Sequence, residues 1–229
     1  MSDLAALKAE AAEAAVEAEV RSGMRLGLGT GSTAALMLES LARRLKDGRL
    51  ERIEGVPTSE VTAARCGQLG IPIRTLDELT ELDVAIDGAD EIDPELRLIK
   101  GLGGAFLREK VVAAAAHRFV VVADETKLVT RLGDHAPLPV EVAQFAQTGC
   151  ERLLRLHGWE PTLRLADGAP YVTDEGNHVL DCRRDQWSDP SALEAGLCSV
   201  PGVVAHGLFL DYARVAYVAT SDGVRVLGS

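Results

Sequence analysis

Four short runs, Met24–Leu28, Arg52–Pro57, Leu82–Ile86 and Phe119–Ala123, have the composition of buried strands, and segments with helical spacing fall between them. Strands that alternate with helices cannot pair as hairpins; the connections return the chain over the sheet and make neighbouring strands parallel. Each run ends in glycine or polar residues, which places them together at the carboxyl edge of the sheet, where open α/β sheets bind ligands.

The first run enters Gly29-Thr30-Gly31-Ser32-Thr33 and then an apolar helix from about Ala34 to Leu45. A strand, a glycine turn and a helix start make an anion site: the first N–H groups of the helix lack internal partners and the glycines allow close approach. The hydroxyls of Thr30, Ser32 and Thr33 can add donors. GLGTGS lacks the third glycine of the dinucleotide fingerprint, and no Lys-Ser/Thr follows as in a P-loop, so a lone phosphate suits it better. A tight turn with a Ser or Thr helix cap is the alternative.

The run Leu82–Ile86 delivers Asp87-Gly88-Ala89-Asp90-Glu91 to the same edge. After a turn at Asp93-Pro94 and an extended piece from Leu96 to Ile99, Lys100 opens the glycine turn Gly101-Leu102-Gly103-Gly104, and a helix is expected from about Ala105 to Ala116. Leu107, Val111 and Ala114 can face a core, and Glu109 can point off that stripe towards the crevice; an exposed helix glutamate is the plainer reading. Lys127, after Phe119–Ala123, is a further strand-end candidate. Lys8, in a first helix capped by Ser2-Asp3 and running to about Val20, reads as a solvated helix lysine. DGADEID does not have calcium-loop spacing, so no metal is expected, and Asp93 reads as a turn residue before Pro94.

The 229 residues suit one large domain with a smaller insert. A net charge of −11 argues against nucleic acid and anionic membranes as partners but leaves room for a small phosphate ester held by a local donor cluster. Four cysteines form no CxxC pair and five histidines no HxxxH pair, which disfavours zinc; scattered thiols fit a cytoplasmic protein. Beyond about Gly133 the texture changes. Pro137–Val142 reads as an edge strand or extended entry, Cys150–His157 as a helix, Thr162–Ala166 as a strand, and Tyr171–Thr173 and Val179–Asp181 as a hairpin. A helix follows from Asp189-Pro190 to about Leu197, and Gly207–Leu210 and Val215–Ala219 read as strands returning to the main sheet. Residues 1–133 with 207–229 are thus expected to form the main domain, and 134–206 a small α+β lid.

In this order and spacing, Gly29–Thr33, Asp87–Glu91, Lys100–Gly104, Arg108-Glu109-Lys110, Asp124–Lys127, Pro137–Val142, Pro201–Val204 and Gly207–Phe209 make the chain resemble ribose-5-phosphate isomerase of type A. The resemblance spans nearly the whole chain. It implies a Rossmann-like, mostly parallel sheet flanked by helices, with a smaller inserted α+β domain of ferredoxin-like kind. It also implies cofactor-free interconversion of D-ribose 5-phosphate and D-ribulose 5-phosphate through an enediolate, in a homodimer or larger oligomer. Glu109 matches the general base, and Asp87, Asp90 and Lys100 match the ring-opening and charge-stabilising groups. Thr30, Gly31, Ser32, Thr33, Gly88, Ala89, Gly101, Leu102, Gly103 and Lys127 match substrate-binding positions. Leu102 departs from the family in replacing a frequent glycine. The chemistry also stands on the residues: one carboxylate can carry a proton between adjacent carbons, while a lysine and nearby amides stabilise the enediolate oxygen. Two rivals are a sugar-phosphate-sensing module without turnover and a transferase using Glu109 as nucleophile.

Overall fold

The computed structural model describes residues 4–185, 187 and 189–229, so the expected Ser2-Asp3 cap lies outside the described residues. The chain forms two compact units, one comprising residues up to Ala89, Arg108–Leu128 and Asp211–Ser229, the other Asp90–Leu107 and Val129–Leu210.

The first unit is built on a six-stranded sheet. From edge to edge its strands are Gly223–Gly228, Ala213–Thr220, Ala116–Asp124, Leu82–Asp87, Arg25–Leu28 and Glu54–Pro57. All neighbours are parallel except the last strand of the chain, which folds back antiparallel on Ala213–Thr220. That edge hairpin was not apparent in the sequence: Gly223–Gly228 is largely exposed and lacks the apolar run of a central strand. The central strands are buried on both faces, as their Val, Ala and Ile content requires.

The first helix, Leu4–Glu19, runs antiparallel to Ala116–Asp124 and is pinned near both ends. Glu19 accepts from Arg118 Nε at 2.7 Å, near the start of Ala116–Asp124, and from the Tyr217 hydroxyl at 2.9 Å, while Lys8 Nζ lies 3.6 Å from Asp124 at the strand's other end. Ala11, Ala12 and Ala15 are fully buried, so small side chains let this helix lie close to the sheet and the second helix, Ser32–Lys46. The helix Phe106–Ala115 passes into the strand Ala116–Asp124 with no connecting residue. Val112 on it occupies the space above Gly27, where a Cβ would come within 2.6 Å of the valine methyl group.

The second unit contains a four-stranded sheet in the order Val203–His206, Leu138–Val142, His178–Arg183, Glu160–Leu163. Leu138–Val142 is therefore interior, not an edge as Pro137 and Pro139 suggested. Pro139 costs the ladder a donor, but its carbonyl accepts from Gly207 N at 2.8 Å. Gly207 also explains a second difference. Its carbonyl accepts from Lys100 N at 2.9 Å, and a Cβ there would lie 2.2 Å from the Lys100 oxygen. Leu208–Phe209 is thereby drawn into a three-stranded sheet with Leu98–Ile99 and Glu91–Ile92 instead of the main sheet. Tyr171–Thr173 makes only an isolated bridge, Val172 to His178. The helices Gln147–Leu156 and Pro190–Cys198 complete the unit, the latter capped by Asp189, whose carboxylate accepts from Ser191 N.

Two buried glutamates of this unit differ in their surroundings. Glu91 accepts from the N–H groups of Gly133, His135 and Ala136, each at 2.6 Å, and so anchors a loop that has no regular ladder. Glu141, fully buried on Leu138–Val142, accepts from Thr173 Oγ1 at 2.8 Å and Asn177 Nδ2 at 3.0 Å. Burial pushes its pKa up, Glu175 and Asp174 push the same way, and the two donors only partly oppose them. The folded chain thus holds this proton to higher pH than the unfolded chain. Its stabilising contribution is present below the ordinary glutamate value and is lost as pH rises through the raised one. Glu141→Gln, which keeps the shape and removes the titration, should raise the melting temperature at pH 7.5 by about 2–4 °C relative to the parent protein. The gap should close towards pH 4; thermal melts showing a pH-independent gap would exclude the buried proton.

Candidate active site

At the first unit's sheet the strand order places Arg25–Leu28 between Glu54–Pro57 and Leu82–Asp87, so the connection from Arg25–Leu28 runs to one side and that from Leu82–Asp87 to the other. The carboxyl edge at such a switch point is where ligands bind in open α/β sheets. Gly29 and Asp87 meet there. A Cβ on Gly29 would lie 2.2 Å from Asp87 Oδ1 and 2.6 Å from its Cα, so only glycine lets the two strand ends come together. Asp87, 2 % exposed, accepts from Thr30 N at 3.0 Å and Gly88 N at 2.7 Å through the same oxygen. Gly88 and Ala89 continue the chain from this point, both half-buried.

The glycine loop has the anion-site form. Gly31 is the N-cap of Ser32–Lys46 at φ 114°, a conformation that L side chains rarely adopt, and no side chain caps the helix. The expected alternative, a hydroxyl cap, is therefore absent from this helix. Thr30 turns its hydroxyl away from the helix end into a hydroxyl cluster, lying 2.7 Å from Thr58 Oγ1, 2.8 Å from Ser59 Oγ and 3.0 Å from Thr62 Oγ1. The next strand's exit is fixed by the same cluster: Ser59 caps Glu60–Leu69, accepting from Thr62 N at 3.0 Å. Thr33 is buried and Ser32 remains exposed.

Lys8 reaches this loop, a placement its sequence did not signal. Its ammonium donates to Ser32 Oγ at 3.3 Å and lies 3.6 Å from Asp124 Oδ2. An Ala/Glu-rich helix carrying one lysine looks like any solvated helix; only docking along the strand brings Lys8 to the carboxyl edge. Burial alone would raise the pKa of Asp124, but the Thr126 hydroxyl and N–H, then Lys8 and Lys127, outweigh it and hold the carboxyl below its usual range. Lys127 is half-buried in the short 3-10 turn Glu125–Lys127 that follows the strand. Two lysines and a helix N-terminus thus offset the chain's net negative charge locally.

Glu109 sits in the first turn of Phe106–Ala115 and is 6 % exposed, so it is a buried helix glutamate and not an exposed one. Leu82–Asp87 and Ala116–Asp124 are parallel neighbours, so the helix between them runs back over the sheet and begins at its carboxyl edge. Glu109 lies three residues before Val112, on the helix face that packs over Gly27.

The remaining candidates belong to the second unit. Asp90 N donates to Ile99 O at 2.8 Å, and its Oδ2 accepts from Leu102 N at 2.9 Å. Lys100 is 2 % exposed with its ammonium 5.6 Å from the centre of the Phe209 ring. Gly101 to Gly104 form a turn closed by Gly104 N on Gly101 O at 3.0 Å. Gly101, at φ 107°, lies against Phe106, where a Cβ would come within 2.5 Å of the ring; Leu102 and Gly103 are exposed. Asp93 builds the neighbouring turn, accepting from Glu95 N, Arg97 N and Arg97 Nε.

A buried carboxylate at a helix start, an aspartate at a sheet switch point and an uncapped, lysine-flanked helix N-terminus define a sugar-phosphate enzyme that works by proton transfer. Residues 54–223 match the model of the ribose 5-phosphate isomerase A (phosphoriboisomerase A) family, and the chain belongs to it. It is 61 % identical over 206 residues to a ribose-5-phosphate isomerase A of Roseiflexus sp., covering 90 % of this chain and 88 % of that protein. Among solved structures, ribose 5-phosphate isomerase A from Methanocaldococcus jannaschii superposes with a TM-score of 0.94 at 40 % identity, covering 99 % of this chain and all of that one. A D-ribose-5-phosphate isomerase in complex with phospho-erythronic acid superposes with a TM-score of 0.95 at 37 % identity, again over 99 % and 100 % of the two chains. The α/β class expected from the sequence is that of these structures.

Proposed function

We propose that the chain is a ribose-5-phosphate isomerase whose base is Glu109. It interconverts D-ribose 5-phosphate and D-ribulose 5-phosphate, a step of carbohydrate metabolism. The observation that carries the reading is the buried first-turn Glu109 on a chain of this family. The sensing module is not favoured, since the relatives bear the name of an enzyme.

The ring must open before C2 becomes acidic. Asp87, Asp90 and Lys100 are assigned the proton transfers at the ring oxygen and anomeric hydroxyl. In the open aldehyde, Glu109 takes the C2 proton; that C–H pair forms the C1–C2 double bond and the carbonyl pair moves onto O1. Lys100 and the amides of Gly101, Leu102 and Gly103 are assigned to the enediolate oxygens, where preorganised donors lower the barrier. The C2 hydroxyl proton then passes to the O1 oxyanion, the O2 pair forms C2=O, and the C1–C2 double-bond pair takes the proton that Glu109 returns to C1. Phospho-erythronic acid, held by a solved relative, joins a carboxylate to a phosphate, two groups that resemble the enediolate and the substrate's far end. The phosphate falls to the Gly31 helix start, Ser32, Thr33, Lys127 and Lys8, with Thr30 shaping the loop and Gly88 and Ala89 lining the sugar; binding energy spent there orients the reacting carbons.

The α+β stretch from 134 to 206 is assigned the role of a lid over the bound sugar, with 1–133 and 207–229 as the catalytic domain. Four free thiols support a cytoplasmic setting, and among the described residues no helix is long and apolar enough to cross a membrane. A homodimer is the proposed assembly; sedimentation velocity should give twice the chain mass, and a sedimenting monomer would refute it. Glu109→Gln should lower kcat/KM for ribose 5-phosphate by about two to four orders of magnitude, checked by a coupled assay. Near-normal turnover would remove Glu109 from the base role. Lys8→Met should raise KM about tenfold with kcat changed less than threefold, the signature of lost uniform binding at the phosphate. An unchanged KM would return Lys8 to a purely structural part.

A further inference from the structure

The glycine turn after Lys100 is held by a side chain far away in sequence. Arg164 lies between the strands Glu160–Leu163 and Leu165–Ala166, with its N donating to Val179 O at 2.8 Å and its carbonyl accepting from Tyr171 N at 2.9 Å. Its side chain is 12 % exposed. Nη1 donates to Gly101 O at 2.9 Å and to Leu102 O at 3.1 Å. The other edge of the guanidinium is taken by Asp181, with Nε on Oδ2 at 2.9 Å and Nη2 on Oδ1. Tyr171 completes the clamp: its ring centre lies 5.8 Å from the guanidinium carbon, and its hydroxyl donates to Gly103 O at 3.4 Å. Gly104, at φ 83°, has no room for a side chain, since a Cβ would fall 2.2 Å from the Tyr171 hydroxyl.

Three successive carbonyls of the turn are therefore fixed by two side chains of one neighbouring segment. The peptide between Gly101 and Leu102 is held at both ends: its carbonyl accepts from Arg164 and its N–H donates to Asp90 Oδ2 at 2.9 Å. A cation on the carbonyl oxygen polarises the peptide and strengthens the hydrogen bond at its N–H. Arg164 thus reaches Asp90 through a single peptide plane. Only a planar fork with donors on two edges can satisfy a carboxylate and two carbonyls together; a lysine offers a point charge in place of that geometry.

We propose that Arg164, oriented by Asp181, is a positioning residue for the isomerase reaction, fixing the Lys100–Gly104 turn and the Asp90 carboxylate in register. The proposal rests on the isomerase reading above. It places a determinant of turnover in a segment that the sequence marks only as a strand, and at a residue with no assigned contact to the sugar.

The test is steady-state turnover of ribose 5-phosphate by the full chain, with thermal melts alongside. Arg164→Ala should lower kcat about 10- to 100-fold, as loss of precise placement does, while KM stays within threefold and the protein remains folded. Added guanidinium ion should restore part of that kcat, and have no such effect on the unsubstituted protein. Asp181→Asn should lower kcat in the same direction, and the double variant should be no worse than Arg164→Ala, because both act through one clamp. A folded Arg164→Ala with kcat within twofold of the unsubstituted protein would overturn the proposal, as would strictly additive losses. If Arg164→Ala does not fold, Asp181→Asn and Tyr171→Phe take its place; kcat within twofold for both overturns it, and about a 3- to 10-fold loss without a change in KM supports it. Absence of turnover in the unsubstituted protein would instead overturn the isomerase reading together with the clamp, so the two failures are distinguishable.

Discussion

The close approach of Gly29 to Asp87 is the constraint on which the first unit's functional edge depends. A buried carboxylate needs donors, and here two backbone N–H groups supply them, one from the glycine loop and one from its own successor, Gly88. Any side chain at position 29 would push the strand ends apart and remove the Thr30 donor at the same time. The loop's course, the uncapped helix start at Gly31 and the exit of Leu82–Asp87 are thus one arrangement. A hydroxyl cluster of Thr30, Thr58, Ser59 and Thr62 fixes the adjacent strand end without using charge, leaving the cations Lys8 and Lys127 for the neighbouring strand end.

Much of this was legible in the residues because it depends on local chemistry. Strand composition, helix spacing and the order of glycine and acidic turns follow from nearest-neighbour physics, and they placed Gly29–Thr33, Asp87 and Lys127 at one sheet edge. Asp93 could be set aside because Asp-Pro is a turn signal, and its carboxylate does collect three donors of that turn. What could not be read depends on contacts distant in sequence. Lys8 acquires its place only through the docking of the first helix, held by Glu19 on Arg118 and Tyr217. The interior position of Leu138–Val142 and the pairing of Leu208–Phe209 both turn on Gly207, whose missing side chain lets it lie against Lys100 and Pro139. Arg164 carries no local signal, since an arginine in a short strand is ordinary until its fork is seen to be full.

The two units divide the functional motifs in an uneven way. The boundary falls between Ala89 and Asp90, inside the DGAD sequence, and again between Leu107 and Arg108, one residue before Glu109. Adjacent residues of one motif therefore take their support from different frameworks. Asp87 is held by backbone of the main sheet's carboxyl edge, whereas Asp90 is held through the Ile99 carbonyl and the Leu102 N–H and, behind the latter, Arg164 and Asp181. Asp87 is buried and Asp90 half-buried, and a substitution in one framework need not disturb the other.

The direct passage from the helix Phe106–Ala115 into the strand Ala116–Asp124 carries a further consequence. A loop would absorb a gain or loss of residues; this junction has none to spare. Adding one residue there would rotate the helix by about 100° relative to the strand, or else exchange the two faces of the strand. Glu109 would leave its buried face in the first case, and in the second the side chains on the strand's two buried faces would exchange the layers they pack against. The chain length between Glu109 and Asp124 is thus a fixed ruler, and evolutionary insertions in this protein are expected in its exposed turns and not along this span.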